Sequence, residues 1–148
     1  MYARSLLLVL FALGLAACGR GTPVSDAIRS RIVDGATIRV AEITTFGWDT
    51  LHVFSPYTPD TAVCSRLGER LQDCSKRVPA TVDEGSYLLA FSRDGRVVHL
   101  ERYRRGTADF CETGCVLELT NRQAVFRVDR IDTPSGPVRR LSLAGSHA

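Results

Sequence analysis

Alternating apolar and polar residues dominate the chain after residue 37 and predict β-strands there. Asp94-Gly95 lies between two apolar runs, which favours a two-residue type I′ turn, so we expect a hairpin centred on it. Such a loop pairs Phe91 with Val98 and Leu89 with Leu100, and places these four side chains on one core face. The remaining predicted strands span 37–43, 48–54, 124–131 and 138–143.

Two segments carry apolar residues at helical spacing. After Ser25, a suitable N-cap, a four-residue spacing predicts a short amphipathic helix over 26–33. The same spacing predicts a second helix over 60–71. Together these elements predict a single α+β domain over 24–148, with an antiparallel sheet of about five to seven strands and two helices.

The N-terminal segment has the layout of a secretory signal peptide over 1–17. A short n-region with one positive charge precedes an apolar run from Leu6 to Ala17. This run is shorter than the roughly 20 residues that a membrane-spanning helix needs. Leu15-Ala16-Ala17-Cys18 resembles a bacterial lipobox, which implies that Cys18 becomes lipidated and begins the mature chain.

A lipidated Cys18 would anchor the protein to the bilayer, with residues 18–23 as the tether. Two or three acyl chains hold a protein on a membrane, whereas a single chain exchanges. By resemblance to enterobacterial lipoproteins, Gly19 in place of Asp favours the outer membrane, with the domain facing the periplasm. The alternatives are a plain signal peptide with an incidental cysteine, or a buried apolar helix.

Four further cysteines predict two disulfides, because exported domains fold in an oxidising compartment. Local pairing would join Cys64 to Cys74 and Cys111 to Cys115. A second hairpin, from 107–111 to 115–120 through Glu112-Thr113-Gly114, would bring the latter two together. A zinc site, a redox pair and free thiols are the alternatives, although neither spacing matches the C-x2-C pattern typical of metal and redox motifs.

Composition and charge narrow the classes of function. The chain of 148 residues is 24% charged with a formal net charge of +3, which is ordinary for a globular protein and predicts no nucleic-acid partner. Nucleotide-binding and nucleophile-elbow motifs are absent from the sequence, so no cofactor and no catalytic residue is assigned. Arg102-Tyr103-Arg104-Arg105 and Arg139-Arg140 form basic clusters, either solvated strand ends or contacts for lipid phosphates.

One segment carries a family resemblance. Trp48-Asp49 is followed by an apolar strand and then by Phe54-Ser55-Pro56-Tyr57-Thr58. The segment resembles one found in an uncharacterised family of small bacterial lipoproteins, which implies an α+β lipoprotein without an assigned activity. Trp48, Asp49, His52 and Tyr57 fit either a structural role or a candidate ligand pocket with aromatic and polar groups.

Three hypotheses for function follow. The favoured one is a membrane-anchored, non-enzymatic envelope lipoprotein that binds an envelope protein or polymer. The second is a small inhibitor of a secreted hydrolase, presenting a stiff loop such as the Cys111–Cys115 turn. The third is an enzyme that uses Asp49, His52 and His99, which requires the three side chains to converge in one pocket.

Overall fold

The computed structural model describes residues 22–111 and 115–145. The signal peptide and Cys18 lie outside this part of the chain. The described elements are α1 (Val24–Arg29), β1 (Thr37–Arg39), α2 (Val40–Ile43), β2 (Thr50–Phe54), α3 (Asp60–Arg66), α4 (Leu71–Cys74), β3 (Ser86–Arg93), β4 (Arg96–Arg104), β5 (Val116–Thr120), β6 (Val125–Thr133) and β7 (Gly136–Leu143).

Two antiparallel sheets contain these seven strands. One sheet has the order β1-β6-β7 and the other the order β4-β3-β2-β5. The predicted α+β class and the upper end of the predicted strand number are confirmed. The strands divide between two sheets, and the helices are short and number four among the described residues.

The larger of two cores contains inward-facing side chains from both sheets and from α1. Aromatic rings fill its centre: Phe110 lies 5.0 Å from Tyr103 and 5.2 Å from Phe126 between ring centroids, each edge to face. Edge-to-face pairs of this kind stabilise a core beyond the area that they bury. The two sheets are therefore held together by an aromatic cluster.

A second core lies on the opposite face of the four-stranded sheet, under α3 and α4. The Cys64–Cys74 disulfide links these two helices inside it. The predicted single helix over 60–71 is instead broken, because Gly68 adopts a φ of +68° and ends α3. The N–H of Glu69 donates to the carbonyl of Cys64 at this end, as in helix C-caps with a left-handed glycine.

The Asp94-Gly95 turn forms as predicted, but the register of its hairpin does not. Both turn residues have positive φ, and Arg93 pairs with Arg96 around them. A bulge follows, so that Phe91 pairs with His99 and Leu89 with Glu101. The predicted core face is therefore wrong on β4.

Because of this bulge, each later side chain of β4 lies on the face opposite to the predicted one. His99 and Glu101 share the face of the larger core, Leu100 packs against the second core, and Val98 is 47% exposed.

Three other sequence predictions need correction. The strand predicted over 37–43 ends at Arg39, and α2 follows directly. The helix predicted over 26–33 begins earlier, at Val24, and ends at Arg29. The second hairpin is not formed between the predicted segments, because β5 pairs with β2 while Asp109 forms a bridge with Arg140. Residues 112–114 lie outside the described chain.

Candidate functional site

Both disulfides join the cysteines predicted from local pairing, Cys64 with Cys74 and Cys111 with Cys115. In the described structure these four residues are therefore neither zinc ligands nor free thiols. Within 22–111 and 115–145, no group of three or more His, Cys, Asp and Glu side chains is placed to hold a metal ion.

Trp48 and Asp49 make structural contacts. The Trp48 ring is buried in the larger core, and its Nε1 donates to Thr44 Oγ1 at 2.9 Å. The Asp49 carboxylate accepts a hydrogen bond from the Asp94 N–H at 2.8 Å, which ties the start of β2 to the hairpin turn. Asx side chains stabilise turns in this way.

His52 lies on the other face of β2, beside the second core. Its side chain is 7% exposed, and its Nε2 is 3.6 Å from Oε2 of Glu118. Its Nδ1 has no hydrogen-bond partner among the described residues. Desolvation by burial lowers the pKa of His52 from 6.5, and the nearby Arg66 guanidinium acts in the same direction, against the opposing effect of Glu118. The ring is therefore neutral at pH 7.

His99 lies on the face of the larger core, where its ring contacts Phe46 and Phe91. Its Nε2 is 2.9 Å from Oε2 of Glu101. His52 and His99 are thus on opposite faces of the four-stranded sheet, and Asp49 is committed to the hairpin turn. The three residues of the enzyme hypothesis do not converge, so that hypothesis loses the site it requires.

Unlike Trp48 and His52, which are buried, Tyr57 is exposed. The residue is 65% exposed and has a φ of +66°, which is an outlier for a bulky side chain. The turn that presents it is fixed on both sides: the Tyr57 N–H donates to the Val82 carbonyl at 2.8 Å, and Thr58 Oγ1 donates to the Ser55 carbonyl at 2.7 Å. Partial desolvation and the neighbouring Glu84 carboxylate raise the pKa of Tyr57.

A cleft of about 420 Å³ adjoins Glu84, between the segment 105–109 and the start of β7. Arg105 lines the cleft and forms a bidentate ion pair with Asp109. Its Nε and Nη2 donate to the two carboxylate oxygens at 2.9 and 3.0 Å. Its Nη1 donates to the Glu84 carbonyl, and its guanidinium lies 5.8 Å from the centre of the Tyr87 ring. Arg105 is therefore held in one position.

The sequence predicts only part of this cleft. Tyr57 is among the residues that the sequence predicts for a ligand pocket, whereas Glu84 and Asp109 belong to no motif. The sequence places Arg105 in a basic cluster of solvated or phosphate-binding residues, but in the structure Asp109 neutralises its charge. The i,i+4 spacing of Arg105 and Asp109 was the one available signal, and it indicates an ion pair only on a helix.

None of the helices in the described residues is long and apolar enough to cross a membrane. Comparisons of the chain with protein-family models, with curated proteins and with solved structures found no match.

Proposed function

We propose that the protein is a lipid-anchored, non-enzymatic binding domain of the bacterial cell envelope. Cys18 would carry the lipid, and the exposed Tyr57 ring with the adjoining Arg105 cleft would bind a protein partner. The lipobox-like sequence supports the anchor. Cys18 and the signal peptide over 1–17 lie outside the described residues.

The observation that carries this proposal is that Tyr57 is exposed on a left-handed backbone. A left-handed backbone is unfavourable for a side chain of this size, and such outliers cluster at functional sites. The turn is rigid, and a tyrosine ring has only two side-chain torsions to fix. Binding through it therefore costs little conformational entropy, which is why rigid aromatic side chains serve as anchors in protein interfaces.

The cleft beside Tyr57 favours a protein over a charged small molecule. Arg105 and Asp109 neutralise each other, and Nη1 of Arg105 donates to the Glu84 carbonyl. An anionic ligand would have to displace this pair. Val138, which is 48% exposed, adds an apolar group to the lining. A rigid aromatic anchor next to apolar surface and a fixed arginine is the composition typical of an interface hot spot.

A non-enzymatic role is favoured because the candidate acid–base groups serve the fold. Asp49 holds the hairpin turn, and His52 is packed against the second core. His99 pairs with Glu101. General acid–base catalysis needs such groups within reach of one substrate, and these three have separate partners.

A photo-crosslinking amino acid at position 57 in the full chain, expressed in its own host, tests the proposal. Position 33 is a matched control, because Val33 is 64% exposed and lies outside the cleft. We expect one discrete protein adduct from position 57 and none from position 33. Adducts of the same protein from both positions, or only lipid adducts from position 57, would contradict it.

The hydrolase-inhibitor hypothesis stays as a second candidate on the same observation. It requires a stiff, protruding residue that can enter an active-site cleft, and Tyr57 has the necessary exposure and rigidity. We expect an inhibitor to lose its effect on envelope hydrolases when Tyr57 is replaced by Gly. Retention of full inhibition by Tyr57→Gly would eliminate this candidate.

A further inference from the structure

A second surface lies along β4, the edge strand of the four-stranded sheet. Two cavities of about 340 and 280 Å³ adjoin each other there, and Arg102 lines both. Lys76 and Arg77 lie in the larger cavity and Arg104 in the smaller, so four cationic side chains line this β4 groove. The acidic residues in its lining are Glu101 and Asp83.

Most of these charges already have partners. Arg102 is 3.4 Å from Asp83, Lys76 is 3.7 Å from Asp73, and Arg77 pairs with Glu69. Glu101 is engaged by α1 and His99. The excess positive charge is therefore that of Arg104, whose side chain has no hydrogen-bond or ion-pair partner among residues 22–111 and 115–145.

The smaller cavity has the donors that an oxyanion needs. Arg104 lines it together with Ser86, which is 6% exposed and whose hydroxyl makes no hydrogen bond to another described residue. Arg102 lines it too, but is paired with Asp83. A guanidinium can donate two parallel hydrogen bonds to a phosphate, and a hydroxyl can donate a third from another direction. A free hydroxyl and an arginine without an ion-pair partner in the lining of one cavity provide donors for a ligand oxyanion.

The position of the groove indicates which ligand. The N–H of Val24 donates to Glu101, the residue before Arg102, at 2.9 Å. Cys18 is six residues before Val24, and six extended residues span at most about 20 Å. The groove opens on the face of β4 opposite to Glu101, but at the same edge of the sheet. A lipid on Cys18 would therefore hold this edge near the headgroup layer, where basic side chains interact with anionic lipids.

We infer that the β4 groove binds the phosphate groups of anionic phospholipids in the membrane that holds the protein. The inference rests on the proposed lipid anchor. It assigns to the anchored domain a fixed contact with the bilayer in addition to its acyl chains. A lipid anchor together with a basic contact binds a membrane more stably than either alone.

Hydrogen exchange of the acylated full-length mature protein in nanodiscs tests the groove. We expect slower exchange at residues 76–86 in phosphatidylglycerol discs than in phosphatidylcholine discs. Arg104→Gln should abolish the difference, and it removes no contact to a described residue. Arg127→Gln, an equal change of charge on β6, should retain it.

Four outcomes of this experiment test the groove, its lipid ligand and the anchor separately. Slower exchange in phosphatidylglycerol that depends on Arg104 supports the groove. Equal exchange in both lipids, from protein whose intact mass includes the acyl chains, overturns the groove and leaves the anchor in place. Protection by inorganic phosphate in phosphatidylcholine discs, with none from phosphatidylglycerol, overturns the lipid assignment. A mass without acyl chains overturns the anchor and with it the inference.

Discussion

The Glu101 carboxylate accepts a hydrogen bond from the backbone N–H of Ser25 at 2.7 Å, across 76 residues of sequence. Its other oxygen accepts from the N–H of Val24 at 2.9 Å. These two N–H groups belong to the first turn of α1, where a helix has no internal acceptors for them. One carboxylate on β4 therefore fixes the first helix to the edge of the sheet.

Replacing Glu101 by Gln should destabilise the fold. The amide would present a donor where the carboxylate accepts, so at least one α1 N–H would lose its partner. We expect a loss of about 1.5–3 kcal/mol in the free energy of unfolding, as for hydrogen bonds to charged groups. Urea denaturation at pH 7 measures it, with Glu42→Gln as the control because Glu42 is highly exposed. Equal midpoints for the two variants would contradict this role.

Glu101 should also contribute to acid sensitivity. Desolvation acts to raise the pKa of its carboxyl, but hydrogen bonds from Ser25, His99 and Val24 outweigh it and hold the pKa below 4.5. A carboxyl with a lowered folded pKa gives its full stabilisation above its unfolded pKa and loses it as the pH falls through the folded value. The difference in stability between wild type and Glu101→Gln should therefore shrink below about pH 4.5, as followed by urea denaturation.

His52 should make the fold less stable in mild acid. Its folded pKa lies below 6.5, so the unfolded state binds the proton more readily, and stability falls as the pH decreases below about 6.5. We expect His52→Gln to reduce the slope of unfolding free energy against pH between about pH 7 and about pH 5. His99→Gln is a comparison at a more exposed histidine. An unchanged slope in His52→Gln would contradict the prediction.

The backbone of Tyr57 predicts an unusual order of stability for two substitutions. Glycine accepts a φ of +66° without strain, whereas alanine incurs the left-handed penalty. After allowing for the greater freedom of unfolded glycine, Tyr57→Gly should be more stable than Tyr57→Ala by about 0.5–1 kcal/mol. Thermal unfolding of both variants measures the difference. A more stable alanine variant would show that the turn relaxes out of the left-handed region.

The two disulfides should contribute unequally. Cys64–Cys74 closes the longer loop, with a separation of 10 residues against 4, and lies in the second core. On the chain-entropy account, removing each pair costs about 2–3 kcal/mol and about 2 kcal/mol, respectively. Loss of core packing adds to the first value. Double Cys→Ala variants of each pair, compared by urea denaturation, should show the larger loss for Cys64 and Cys74.

The hairpin shows how far local sequence patterns determine this fold. Asp94-Gly95 specifies its turn through its own backbone preference, and the turn forms where predicted. The bulge near Phe91 depends on tertiary contacts: it brings Glu101 to the side where α1 needs an acceptor. A pattern of apolar residues cannot reveal a register that a partly buried hydrogen bond from 76 residues away helps to stabilise.

In the candidate site, too, the sequence predicts some features and not others. The disulfide partners follow from loop closure, and the burial of Trp48 from the composition of its segment. The cleft, by contrast, forms between Glu84, Arg105 and Asp109, whose ion pair and backbone contacts arise in an irregular segment. The left-handed backbone of Tyr57 is a property of the folded geometry, and the residue types in its turn do not predict it.

The mass of the native protein extracted from membranes, measured with and without reduction and alkylation, tests the central claim of a lipid-anchored, disulfide-stabilised domain. We predict a chain that begins at Cys18, carries acyl mass, and takes up alkylating reagent at four cysteines only after reduction. A chain without acyl mass, or one alkylated before reduction, would contradict this account.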